Sequence, residues 1–233
     1  RKPFLRLLDN SVANVISSPG FKHYLPDGYN YMLSHNFDIE TVRKALNGDL
    51  CFSTNTTESI DVLTIGGIRD YESNVQVIDA LANKPNFTLR FVGKGPSADS
   101  LKAHSEEINA SNIYFEGYYP KEKESEYIKN CTFMNIFYPR KASHDTALSN
   151  RFYNSLIYKK PMITTAGTTQ GDYAQAHGVG VAIDGCEDLT EKLKRFLNSN
   201  QPEIYFDKAQ KLLASFTGDY DNFESMVNEF ING

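Results

Sequence analysis

The chain has few of the features that staple a small fold or mark a route out of the cell. Its three cysteines, Cys51, Cys131 and Cys186, stand far apart and form no Cys-x-x-Cys pair, which argues against a disulfide framework and a cysteine zinc site. A reducing, cytoplasmic setting is expected, at most at the inner face of the membrane. His23, His35, His104 and His177 lack a His-x-x-x-His spacing, so no metal site is expected. No run of about 18 apolar residues occurs, so no segment is expected to span a bilayer. Basic residues do not predominate: with a net charge of −5 and a pI near 5.6, nucleic acid is not an expected partner. Internal repeats and low-complexity tracts are absent. No signal peptide opens the chain at Arg1, which leaves room for an upstream segment. The sequons at Asn55-Thr56-Thr57 and Asn86-Phe87-Thr88 read as chance.

What is present is enough apolar side chain, 40% of 233 residues, to close a large core without metal or disulfide. From residue 60 onward, short β-rich runs alternate with helical patterns, which predicts a parallel sheet wrapped by helices. The expected strands are Asp61–Gly66, Phe87–Val92, Ile113–Glu116, Cys131–Tyr138, Pro161–Thr165 and Val179–Ile183. Most are near-continuous apolar runs, as when both faces of a sheet are covered. The fold class is therefore α/β, a Rossmann-like doubly wound sheet. Ser73 or Asn74 is expected to cap the first intervening helix, and Ser97 or Asp99 the second. The charged stretch Lys121–Lys129 reads as a solvated helix holding Tyr127 and Ile128 inward. Further helices are expected over Ser149–Tyr158, Gly171–His177, Asp188–Asn198 and Glu203–Phe216, with a last one from Tyr220.

Three regions follow. Residues 1–58, with strand-like Val12–Ser17 and Tyr29–Leu33 and helical Ile39–Leu46, read as the last β-α-β piece of a preceding domain, ending in a linker. The polar run Thr54–Glu58 marks the boundary. Residues 59–216 form the main domain. Residues 217–233 are expected to form a final amphipathic helix that crosses to the other domain, since its Phe223, Met226, Val227, Phe230 and Ile231 make an apolar stripe that another surface must receive.

Candidate chemistry sits at the strand ends. Gly66 and Gly67 close the first strand of the main domain, where glycine lets backbone approach a phosphate, and Arg69 follows with a guanidinium suited to phosphate oxygens; a plain turn with a surface arginine is the alternative. Gly93-Lys94-Gly95-Pro96 lacks the third glycine of a dinucleotide fingerprint and reads as a tight turn. Tyr118 and Tyr119 offer aromatic faces to a ligand or sit at a core edge. The helix opening near Asn150 offers unpaired amides to an anion, with Arg151 beside them or merely on the helix surface. His144 and Asp145 precede that helix, as a functional pair or as solvated loop residues.

In order and spacing, Ile65-Gly66-Gly67-Ile68-Arg69, Phe91-Val92-Gly93-Lys94-Gly95-Pro96, Ile113-Tyr114-Phe115-Glu116-Gly117-Tyr118 and Ala147–Asn154, followed by Lys160-Pro161 and Ala166-Gly167, resemble the donor domain of GT-B glycosyltransferases of family 4, similar to those of bacterial capsular and exopolysaccharide biosynthesis. The resemblance implies a nucleoside-diphosphate sugar as donor, a saccharide or lipid-linked acceptor, retention at the anomeric carbon and no metal or other cofactor. It implies that Gly66 and Gly67 floor the diphosphate site and that backbone near Gly117 and Tyr118 faces the base. The amides of Ala147, Leu148, Ser149 and Asn150 would cradle the diphosphate, with Arg69 and Arg151 as catalytic cations. An acceptor domain, and through it any membrane association, would lie outside this chain, which by itself is expected to bind nucleotide weakly and transfer nothing. Two departures stand out. In the family, two glutamates bracket the start of the key helix, the second holding the ribose; Thr146 and Asn154 occupy those positions. The family's phosphate-clamping lysine is absent from Asp70-Tyr71-Glu72-Ser73-Asn74. The alternatives are a glycosyltransferase-like binding module without catalysis and a sugar-nucleotide epimerase of related architecture.

Overall fold

The computed structural model describes residues 2–50 and 58–232. Cys51, the sequon at Asn55 and the expected boundary at Thr54–Glu58, Glu58 excepted, lie outside them. Helix α1 (Lys2–Asp9) leads into β1 (Asn14–Ile16), a 3-10 turn at Pro19–Tyr24, β2 (Tyr31–Leu33) and α2 (Ile39–Leu46). The main body then alternates β3 (Ile60–Ile65), α3 (Tyr71–Leu81), β4 (Phe87–Val92), α4 (Ala98–Glu107) and β5 (Ile113–Gly117). A short turn precedes α5 (Glu124–Lys129), followed by β6 (Phe133–Ile136), α6 (Ala142–Thr146), α7 (Asn150–Ile157), β7 (Met162–Thr165), α8 (Thr169–His177), β8 (Gly180–Ile183), α9 (Leu189–Ser199) and α10 (Pro202–Asn232).

Strands β3 to β8 form one parallel sheet in the order β5-β4-β3-β6-β7-β8, and β1 and β2 pair in a small parallel sheet of their own. Helices cover both faces of the large sheet, so its strands are apolar on both sides. On one face Leu63, Ile65, Met134 and Ile136 meet Phe152 and Leu156 of α7 and Leu212, Leu213 and Phe216 of α10. On the other, Val62, Leu89, Phe91 and Ile163 meet Val77, Ile78 and Leu81 of α3 and Leu193 of α9. The doubly wound α/β reading thus holds. Among the described residues no helix is long and apolar enough to cross a membrane, and Cys131 and Cys186 form no disulfide.

Several expected limits shift. Helix α3 starts three or four residues early, with Asp70 at its N-cap, because the Asn74 amide turns back to the Asp70 carbonyl and to buried Asn135. Helices α1 and α6 fall where no helix was expected. The two expected terminal helices are one, Pro202–Asn232, running through Gly218. A glycine there costs about 1 kcal/mol of helix propensity, and packing on both sides of it prevails: Phe216 is sealed in the core, while Asp219, Asp221 and Glu224 engage His35 and Arg43. The stripe beyond is only partly covered, with Phe230 and Ile231 left 66% and 70% exposed.

The first 50 residues are fastened to the main body by polar contacts as well as by packing. The Ser18 hydroxyl donates to the Thr146 carbonyl, and Gly20 lies so close to Thr146 and Thr169 that a Cβ would stand 2.6 Å from the Thr146 oxygen. His35 is the centre of the join. It is buried against Phe37 and Phe216, with Nε2 3.1 Å from Asp219 and Nδ1 3.0 Å from the Tyr153 hydroxyl. A carboxylate only accepts, so Nε2–H donates to Asp219 and Nδ1 accepts from Tyr153, the pattern of a neutral ring. Burial outweighs the pull of Asp219 and lowers the His35 pKa.

The folded protein therefore binds this proton less readily than the unfolded chain, whose histidine titrates near about 6.5. Stability is fully present above that value and is lost as pH falls below it toward the lowered folded value. Thermal melts are expected to show a falling midpoint on going from neutral to mildly acidic pH, with a shallower acid slope in His35→Gln; an unchanged slope in the variant would place the titration elsewhere.

Candidate functional site

The strand order turns back between β3 and β6: β4 and β5 lie to one side of β3, and the chain then returns to place β6 on the other. Loops leaving the carboxyl ends of two such strands diverge and open a crevice, the usual ligand position in open α/β sheets. Here the crevice is a cleft of about 350 Å³, walled by residues 65–70 after β3, Tyr138 and His144 after β6, the first turns of α7, and Tyr119, Lys121 and Glu124 after β5. Beside it, between α5, α7 and residues 36–41, lies a second cavity of about 600 Å³ that shares Lys121, Glu124, Asn150 and Asn154 with the first.

The β3 loop is held backbone against backbone. The Gly93 N–H donates to the Gly117 carbonyl at 2.7 Å, and Gly66 N–H and Ile68 N–H donate to Val92 and Lys94 carbonyls. At Gly93, φ is +134° and a Cβ would stand 2.0 Å from the Gly66 oxygen, so only glycine fits. Gly93 to Pro96 is thus a turn that supports the site from behind.

Arg151 secures the other side. Its Nε donates to the Ile65 carbonyl at 2.5 Å and Nη2 to Gly67 at 2.9 Å, with Nη1 3.5 Å from Asn135, so one guanidinium ties the ends of β3 and β6 to the first turn of α7. Two of its five N–H groups are left over. The Arg69 side chain, exposed and folded back over Gly67, makes no hydrogen bond or ion pair among the described residues.

Helix α7 is capped by Ser149, whose hydroxyl accepts from Phe152 N–H. The Ser149 amide donates to Gln170 Oε1 at 3.0 Å, and the Ala147 amide to the Ser143 carbonyl at 3.3 Å. The N–H groups of Leu148, Asn150 and Arg151 find no acceptor among the described residues. Those of Asn150 and Arg151 open the helix beside the cleft, where dipole and free donors favour an anion.

The third wall was read in the sequence as a solvated helix. Glu124 instead turns inward, accepting from the Tyr119 hydroxyl at 2.8 Å, the Asn154 amide at 3.1 Å and Lys121 Nζ at 2.6 Å. Burial and the adjacent carboxylate both raise the Tyr119 pKa, keeping the phenol protonated as a donor. Asp70 also faces the cleft and pairs with Lys141.

Of the residues expected at the site, Gly66, Gly67, Arg69, Ser149, Asn150, Arg151 and Asn154 line one cleft. Tyr118 lines an adjoining recess of about 370 Å³ with Gly93 and Lys94, whose Nζ lies 5.9 Å from its ring. Gly117, Ala147 and Leu148 line neither: Gly117 and Ala147 serve hydrogen bonds within the protein, and the Leu148 side chain is buried. His144 and Asp145 do not act as a pair. His144 Nδ1–H donates to the Pro139 carbonyl and its ring faces the cleft, whereas Asp145 grips Arg140. Thr146 is buried, its hydroxyl bonded to Ala142. Sequence reasoning missed Asp70, Lys121, Glu124 and Tyr138, and no local pattern separates these from surface charges and core-edge tyrosines.

An open parallel sheet wrapped on both faces and cleft at its switch point is the architecture of GT-B glycosyltransferases. The chain belongs to the glycosyl transferases group 1 family, whose model matches residues 52–212. S. aureus TarM, solved with UDP, alpha-GlcNAc-glycerol and fondaparinux, is similar with a TM-score of 0.68 and 13% identity, over 99% of this chain and 45% of that one. Anabaena HepE, solved with UDP and glucose, gives 0.65 and 12%, over 95% and 64%. Sucrose-phosphate synthase from Thermosynechococcus elongatus gives 0.68 and 13%, over 97% and 60%. At such identities the likeness is one of fold, and this chain spans 45% to 64% of those proteins. No curated protein matches it in sequence.

The two arginines are expected to separate in denaturant melts. Arg151→Met removes a charged donor from carbonyls at two strand ends and should lower stability by about 2–3 kcal/mol; Arg69→Ala, which breaks no side-chain hydrogen bond or ion pair, should stay within about 0.5 kcal/mol of wild type.

Proposed function

We propose that this chain is the donor-binding part of a glycosyltransferase that moves a sugar from a nucleoside diphosphate to a saccharide or lipid-linked acceptor. One observation carries the reading: the unpaired N–H groups opening α7, the unpaired Arg69 and the replaceable Lys121 converge on one cleft at the sheet's switch point. Such a site suits a diphosphate, and UDP in the TarM and HepE structures supports a nucleoside diphosphate here. As the glycosyl bond breaks, negative charge grows on the departing diphosphate. Donors already aimed at that position lower the barrier without reorganising, which is where electrostatic catalysis is strongest. In this scheme Arg69 and the Asn150 and Arg151 amides meet the charge, and Arg151 chiefly positions the loop that presents them. The charge is met by protein groups, so the scheme needs no resident metal. Retention, surface polysaccharide assembly and a cytoplasmic location belong to the same proposal, on the strength of the motif resemblance.

Thr146 and Asn154, standing where the family has glutamates, favour a second reading, a donor-fold module that binds without catalysis. An epimerase would need an acid free to move protons, and the two carboxylates at the cleft, Asp70 and Glu124, are both ion-paired.

Titration with UDP and GDP separates binding from its absence. A ligand at 100 times its Kd stabilises the native state by about 2.7 kcal/mol, which for a chain of this size raises the melting midpoint by roughly 5–10 °C. Arg69→Ala should shrink the shift at equal nucleotide concentration. No shift at millimolar nucleotide would overturn the donor reading.

A further inference from the structure

Most of the charged residues around α5 behave as a solvated surface: the Lys121, Lys123 and Glu126 side chains are 79%, 61% and 63% exposed. Glu124 is only 15% exposed and lies where the two cavities meet, lining both. A carboxylate withdrawn from water is costly unless its oxygens accept hydrogen bonds. Here Oε1 accepts from Asn154 Nδ2 and Lys121 Nζ, and Oε2 from the Tyr119 hydroxyl. A carboxylate offers about four acceptor positions, so one on Oε2 remains open. The position taken by Lys121 is held from the solvent side by a long, flexible chain. Two acceptor positions, one per oxygen, are thus available in parallel.

We propose that Glu124 recognises a pair of adjacent hydroxyls on the ligand, the ribose diol of the donor nucleotide. The assignment rests on the donor reading above and adds a recognition residue to it. Two neighbouring hydroxyls donate to the two oxygens of one carboxylate as a matched pair, and charge-assisted bonds of this kind are the strong ones. The rest of the cleft selects the other end of the same molecule. Arg69 and the α7 amides call for an anion, so the ligand must join an anionic group to a diol, as a ribonucleoside diphosphate does. Asn154 orients the carboxylate: since the carboxylate can only accept, the Asn154 nitrogen must face it, and this fixes the amide's direction. Tyr119, kept protonated, secures the second oxygen. The displaced Lys121 lines both cavities and the recess beside Tyr118, so its ammonium stays within reach of the phosphates.

Calorimetric titration of wild type, Glu124→Gln and Glu124→Ala with UDP and GDP, each alongside its 2′,3′-dideoxy form, tests this, with thermal melts confirming that the variants fold. Wild type is expected to prefer the ribo form roughly tenfold or more. The preference should fall to about twofold in Glu124→Ala and to an intermediate value in the isosteric Glu124→Gln, while affinity for the dideoxy form changes little. An undiminished preference in both variants, or an equal loss for ribo and dideoxy forms, would overturn the role of Glu124 and leave the donor reading standing. Failure of wild type to bind any of the four nucleotides would overturn both.

Discussion

The site depends on one guanidinium. Carbonyls at the carboxyl ends of parallel strands crowd negative dipoles at one edge of the sheet, and Arg151 places a planar, multiply donating cation among them. It reaches Ile65, Asn135 and Gly67 at once, holding β3, β6 and the glycine loop at fixed distances from the start of α7. A lysine, a point charge on a flexible stem, would not span three acceptors in this way. Because Arg151 is itself the second residue of α7, the helix end that offers free amides is tied to the loop that faces them.

Around that clamp the molecule is arranged to keep the cleft open and firmly walled. The turn at Gly93 supports the β3 loop from behind, and Gln170 of α8 steadies the cap of α7 through Ser149. Residues 36–41 wall the second cavity, and the buried imidazole of His35 just before them joins Tyr153 of α7 to Asp219 of α10. Carboxylate and cations then divide the cleft, with Glu124 toward the second cavity and Arg69 beside the glycine loop. Under the proposed function, this division would give an elongated donor a direction.

Much of this was legible in the residues. The six main strands, the doubly wound class and the glycine loop followed from apolar runs and punctuation, and seven of the expected site residues share one cleft. The departures have physical causes. The last stretch was read as two helices, one ending at Phe216 and one starting at Tyr220, but contacts from Phe216 to Glu224 outweigh the propensity of the glycine between them. Ala147 and Ser149 were expected to offer their amides, yet each is satisfied within the protein, by the turn of α6 and by a glutamine 21 residues away. Asn154 looked like a loss of charge, and its amide instead donates to the carboxylate of Glu124, 30 residues distant along the chain.

What the sequence determined by itself is therefore the periodic and the local: which runs are strands, where backbone must turn on glycine, which helix opens at the cleft. Hydrophobic pattern and steric allowance act over a few residues and can be read from them. Only the tertiary structure decided which charges face inward, because a glutamate on a short polar helix has the same local pattern whether it meets water or Asn154. Its role is set by the desolvation and the donors that distant elements bring, and those depend on how β3, β5 and α7 come together in space.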